Sequence, residues 1–211
     1  MTYLPVGERR RAIIDAAIEV IAEEGLARAT TRRIAERAGT PRGTIHYCFR
    51  YKDELTLLIL TRARSTMHAA FARLSPDSGF EATVRAAVAA YWQWIRDAPG
   101  LHLALLELTL WVIRNRQTVA PSGDAWAAVN APFGGDLLED AFATAARTDN
   151  LHPAVPVPDL ARFLIHRMDG LVLELAETRD QAACEHQTHL LADALIALAT
   201  PRLNINDTDH E

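Results

Sequence analysis

Lysine is almost missing from this chain. Of 22 basic residues among 211, 21 are arginine, and Lys52 stands alone. Cysteine is nearly as scarce: Cys48 and Cys184 lie far apart with no metal-type spacing. That excludes a disulfide framework and reads as two reduced thiols. No long apolar run occurs either, since the longest, Leu101 to Ile113, is interrupted by His102 and Glu107 and is too short to span a bilayer. Arg9, Arg10 and Arg11 lead into an amphipathic stretch, which does not fit a secretory signal. A cytoplasmic protein with no membrane partner is expected. The chain also shows no glycine-rich phosphate loop, nucleophile–base set or metal motif, so neither an enzyme nor a cofactor or metal is expected.

What remains is an ordinary globular composition, 49% hydrophobic and 23% charged. The formal net charge of -5 is unevenly spread. Residues 1–56 hold 10 Lys+Arg against 8 Asp+Glu, a net of +2, which leaves 12 against 19, a net of -7, for the rest. Basic charge concentrated at one end, in a chain that is acidic elsewhere, suits a small module that meets a polyanion.

The stretch from Thr31 to Leu55, TRRIAERAGTPRGTIHYCFRYKDEL, carries two short helical patterns around one glycine. Ile34, Ala35 and Ala38 share a face of the first, and Ile45 and Phe49 a face of the second. Gly39 stands where the first helix would end, and Thr40-Pro41 opens the second with a capping hydroxyl and a proline suited to the first helical position. A turn of three or four residues between two helices is the helix-turn-helix pattern. With Ile45 and Phe49 inward, Arg42, Gly43, Thr44, His46 and Tyr47 face outward. Such a face suits a DNA major groove: Arg pairs with guanine, Thr meets a base edge, and Gly lets the backbone approach phosphate. Tyr47 could instead join the core. Upstream, residues 8–24 place Ile14, Ala17, Ile18 and Ile21 on one helical face, with Gly25 as terminator. This helix would complete a three-helix module.

Residues 10–55 resemble the N-terminal domain of the tetracycline-repressor (TetR) family of bacterial transcription regulators. The resemblance rests on Glu23 to Gly25, Thr31 with Ile34-Ala35, Ala38-Gly39, Arg42 to Ile45, Tyr47, Phe49, Lys52 and Glu54-Leu55. It implies that Thr31, Thr40, Arg42, Gly43, Thr44 and His46 meet a double-stranded DNA operator and that Tyr47 contacts phosphate. Lys52 opens the next helix, where its ammonium and the helix amides both favour a phosphate. Family members usually have an apolar residue and then Ser or Thr after the Ala-Gly pair, and often Tyr and His where this chain has His46 and Cys48. The operator sequence therefore does not carry over.

The rest of the chain reads as helices, with no alternating strand pattern. A fourth helix over 53–74 ends at the break Ser75 to Gly79, followed by helices over 80–97, 101–117, 159–179 and 181–199. A further stretch, 124–147, is broken near Pro132 to Gly135. The expected fold is all-α: an N-terminal three-helix DNA-binding domain (1–56), a C-terminal helical effector-binding and dimerisation domain (57–202), and a polar tail (203–211).

Aromatic and ionisable residues in apolar settings mark candidates for a small-molecule effector: Trp92, Glu107, Trp111, Arg114, Phe163, His166 and Asp169. Glu107, Trp111 and Arg114 share a helix face by their spacing of four and three. The wide apolar stripes of the last two helices offer Leu164, Met168, Leu171, Leu175, Leu191 and Leu195 as a homodimer interface. In the family these helices form a four-helix dimer interface. A ligand-responsive dimeric regulator, a repressor released from a palindromic operator by its effector, is the expectation. The alternative is a regulator of the same fold controlled by a protein partner.

Overall fold

The computed structural model describes residues 6–48, 52–115 and 135–200. Among these it contains nine α-helices and no strand: α1 (Val6–Glu24), α2 (Thr31–Arg37), α3 (Arg42–Cys48), α4 (Lys52–Phe71), α5 (Phe80–Asp97), α6 (Pro99–Asn115), α7 (Gly135–Thr148), α8 (Val157–Thr178) and α9 (Gln181–Ala199). The part of the expected 124–147 helix before Gly135, Phe49, and the tail at 203–211 lie outside the described residues. The helices form two compact units, one of Met1–Thr66 with Ile95–Pro132, the other of Met67–Trp94 with Phe133–Glu211.

In the first unit α1 is the central element. Its apolar residues cover more than one stripe, and Ile13, Ala16 and Val20 are buried along with Ile14, Ala17, Ile18 and Ile21. A helix apolar over so wide an arc needs neighbours on several sides, and α1 packs on α2, α3 and α6. Gly100 lets α6 come close, because a Cβ there would already stand 3.5 Å from the Ala22 Cβ.

Arginines tie α1 to α2. Arg37 reaches Glu19 at 3.1 Å and Glu23 at 2.5 Å, and Arg33 reaches Glu24 at 2.6 Å. The hydrogen bond from Arg37 holds the Glu23 carboxyl below the usual 4.5, and Arg33 does the same for Glu24. A carboxyl depressed in the folded state contributes stability above its unfolded value and loses it as pH falls through the folded one. The melting temperature is therefore expected to drop as pH goes below 4.5, and Arg37→Ala should flatten that dependence in a pH series of thermal melts. The pairs are solvent-exposed, so the effect is modest.

In the second unit α8 packs between α7 and α9. Its buried side chains are Leu160, Ala161, Leu164, Met168, Leu171 and Val172, and Leu138 and Phe142 of α7 and Leu191 and Leu195 of α9 are buried as well. The start of α5 is held by Asp149, whose Oδ2 accepts the Phe80 amide at 2.6 Å. Gly79 precedes it at φ +94, with an added Cβ only 2.8 Å from Asp149 Oδ1.

This packing places most of the residues expected at the dimer interface inside the protomer. Leu164, Met168, Leu171, Leu191 and Leu195 are buried within the protomer, and Leu175 is half-buried. The two helices need these leucines for their own core. The large apolar side chains they leave in solvent are Leu173 (56% exposed), Leu190 (54%) and Leu198 (42%).

Candidate nucleic-acid interface

The α2–α3 turn is built by local rules. Thr30 caps α2, its Oγ1 accepting the Arg33 amide at 3.2 Å. At the other end Gly39 takes φ +58, its amide donates to the Glu36 carbonyl at 3.3 Å, and the Thr40 amide donates to the Ala35 carbonyl at 3.1 Å. That pair of bonds is the Schellman motif, which needs a left-handed residue that only glycine adopts without strain. Helix α3 begins at Arg42, one residue later than expected from Thr40-Pro41. Pro41 stands just before the helix, where its carbonyl accepts the Thr44 amide at 2.8 Å. Proline has no amide to donate, so it fits there as readily as in the first turn.

Ile45 seats α3 in the module and is 2% exposed. Around it Arg42, Gly43 and Tyr47 are exposed and Thr44 is half-buried. Tyr47, at 78% exposure, is no core aromatic. A Cβ added at Gly43 would meet nothing within 4 Å. Glycine costs a helix about 1 kcal/mol relative to alanine, and nothing inside the chain requires it here. A residue without a Cβ leaves the backbone open to close approach from outside. Thr31, the first residue of α2, and Thr40 in the turn are half-buried. His46 lies within α3 and Lys52 opens α4, as expected, with their side chains outside the described residues.

The effector candidates fall into both compact units. Glu107, Trp111 and Arg114 lie on α6 in the first, Trp92, Phe163, His166 and Asp169 in the second. Glu107 already has a partner inside the chain: Oε2 accepts the Leu26 amide at 2.6 Å. Its nearest sequence signal was the face shared with Trp111 and Arg114, and no local pattern announces a partner 81 residues away. Trp111 is half-buried and Arg114 exposed. Trp92 is 3% exposed, and its indole Nε1 has no hydrogen-bond partner among the described residues. His166 Nδ1 lies 3.8 Å from Asp169 Oδ2. Burial pushes the Asp169 carboxyl up, with His166 partly offsetting it, although its side chain remains 46% exposed. Burial, and secondarily the charge of Asp169, also raises the Tyr91 phenol. Among the described residues no group of three or more His, Cys, Asp or Glu is placed to hold a metal ion, and no helix is long and apolar enough to cross a membrane.

A capped α2, a glycine turn and a seven-residue helix with an open basic and polar face define a helix-turn-helix DNA-binding module. Residues 13–59 match the model of the bacterial regulatory proteins of the tetR family. Over those residues the chain is similar to that family of transcriptional regulators. It is 28% identical over 169 residues to the nicotine-responsive transcriptional repressor HdnoR of Paenarthrobacter nicotinovorans, covering 79% of this chain and 83% of that protein. An HTH-type transcriptional repressor of Mycobacterium tuberculosis is also 28% identical, over 172 residues, covering 82% and 84%. Among solved structures, the regulator FadR of Bacillus subtilis in complex with stearoyl-CoA superposes with a TM-score of 0.68 over 89% of this chain and 98% of its own, at 17% identity. That identity speaks for the fold alone.

Proposed function

We propose that the chain is a homodimeric, ligand-responsive repressor that binds a palindromic operator through α3 and leaves it when a small molecule binds the helical domain. The observation that carries this is the outward face of α3, where Arg42, Gly43 and Tyr47 are open and Gly43 has no reason inside the chain to be glycine. In this reading residues 1–56 bind DNA and 57–202 serve the effector and the dimer. Thr31, Thr40, Thr44, His46 and Lys52 complete the contact set. Two full-length relatives are repressors, and the one named nicotine-responsive answers to a small molecule. The aromatic and charged residues Trp92, Trp111, Arg114, Phe163, His166 and Asp169 are the candidates to meet an effector, whose release of DNA requires tighter binding to one conformation than another.

The dimer face proposed here is the exposed one. Leu173, Leu190 and Leu198 line it, and Gly170, exposed in mid-α8 with nothing within 4 Å of an added Cβ, lets a partner helix approach. Two recognition helices would then address half-sites about 34 Å apart, one helical turn, or a multiple of it. The test is retention of a duplex from the chain's own upstream region at low salt by the wild type, with Arg42→Ala and Lys52→Ala each weakening it. Unchanged binding in both variants sinks the contact assignment.

A further inference from the structure

Resting on that DNA-binding reading, we propose that Glu107 is a positioning residue for the operator: a carboxylate on α6 that latches the turn leading from α1 into the recognition helices. Its Oε2 takes the Leu26 amide at 2.6 Å, a short, charge-assisted bond. Gly25, at φ +86, turns the chain out of α1 so that this amide is presented, and an added Cβ there would stand 3.6 and 3.7 Å from the two carboxylate oxygens. The carboxylate lies directly over the turn.

Leu26 passes the constraint on. Its carbonyl accepts the Ala29 amide at 3.2 Å, and the next residue, Thr30, caps α2 by accepting from Arg33. The carbonyl of Thr30 also takes the Ile34 amide at 2.9 Å. A hydrogen-bonded path of a few residues therefore links α6 to the first turn of α2, against which α3 packs.

The end of a helix carries partial negative charge, and the last turn of α1 holds Glu23 and Glu24 with no basic residue. The guanidinium of Arg28 takes the Glu24 carbonyl at 2.7 Å, Arg33 takes the Glu24 carboxylate, and Arg37 takes Glu23 and Glu19. These cations are engaged by other acceptors, and the hydrogen bond from the Leu26 amide is the contact that ties Glu107 to the turn. A single hydrogen bond of this kind is lost on a small displacement of α6. Trp111 and Arg114 lie one and two turns further along the same face of that helix, where a ligand would act on it.

The experiment uses the full chain as wild type, Glu107→Ala and Glu107→Gln, with hydrogen exchange at the Leu26 amide and affinity for the upstream duplex as readouts. Glu107→Ala is expected to speed Leu26 exchange and weaken the duplex about tenfold, the worth of one charge-assisted hydrogen bond. The slope of affinity against salt should not change, because no phosphate contact is lost. Glu107→Gln keeps an acceptor oxygen without the charge, and is expected to fall between wild type and Ala in both duplex affinity and Leu26 exchange. An Ala variant that binds like wild type overturns the latch, as does a folded Gln variant that binds as weakly as Ala. Should the Ala variant fail to fold, the Gln variant decides alone. A wild type that retains no duplex overturns the DNA-binding reading instead, and Leu26 exchange still tests the contact.

Discussion

Gly43→Ala is expected to make the protein slightly more stable and a poorer DNA binder. The two effects have separate causes, and their opposite signs make the test sharp. In α3 an alanine Cβ meets no neighbour within 4 Å, and alanine in a helix is favoured over glycine by about 1 kcal/mol. A thermal melt should therefore move up. In the proposed complex the same methyl would occupy space between the α3 backbone and the sugar-phosphate, and a bulkier good helix former, Gly43→Gln, should obstruct more. Relative to these, Arg42→Ala is expected to cost about 1–3 kcal/mol, or 5- to 150-fold, and to relax the preference at one base pair if it makes a bidentate contact to guanine. Tyr47→Ala should weaken all duplexes alike, as loss of a phosphate contact does. Titration of labelled duplexes at several salt concentrations separates the two. If Gly43→Gln binds as tightly as wild type, α3 does not enter a groove by this face.

Much of this interface is legible in the sequence because its rules are local. A glycine after an amphipathic turn ends a helix at Gly25 and at Gly39, and both take the positive φ that the pattern requires. Helices α5 and α9 run over Phe80–Asp97 and Gln181–Ala199, where the turn residues on either side place them. The start of α3 is displaced by one residue, since proline is compatible with either side of a helix boundary. Contacts between distant residues are a different matter. Glu107 reads as one edge of an amphipathic helix, and only the fold brings the Leu26 amide to it. Likewise Asp149 reads as an ordinary acid after α7, although it caps α5 from 69 residues away.

The apolar stripes of α8 and α9 show why periodicity cannot separate an inner face from an interface. Both helices carry wide apolar arcs, and a hydrophobic pattern states that a residue will be covered without stating by what. The structure assigns Leu164, Met168, Leu171, Leu191 and Leu195 to the protomer's own core and leaves Leu173, Leu190 and Leu198 outside it. Two kinds of variant then behave oppositely. Leu164→Ala or Leu195→Ala is expected to cost about 2–5 kcal/mol of stability while the folded fraction keeps the wild-type oligomeric state. The double variant Leu173→Glu/Leu190→Glu places charge on an exposed face, so each chain should fold with nearly unchanged thermal stability as a monomer. A single module then meets a single half-site. Specific binding usually exceeds non-specific binding by at least about 10³-fold, and a monomer restricted to half the contacts is expected to lose a hundredfold or more of that. Sedimentation of the free protein and duplex titration of the same sample decide the matter: a double variant that stays dimeric and keeps the operator would place the dimer contact on another face of the chain.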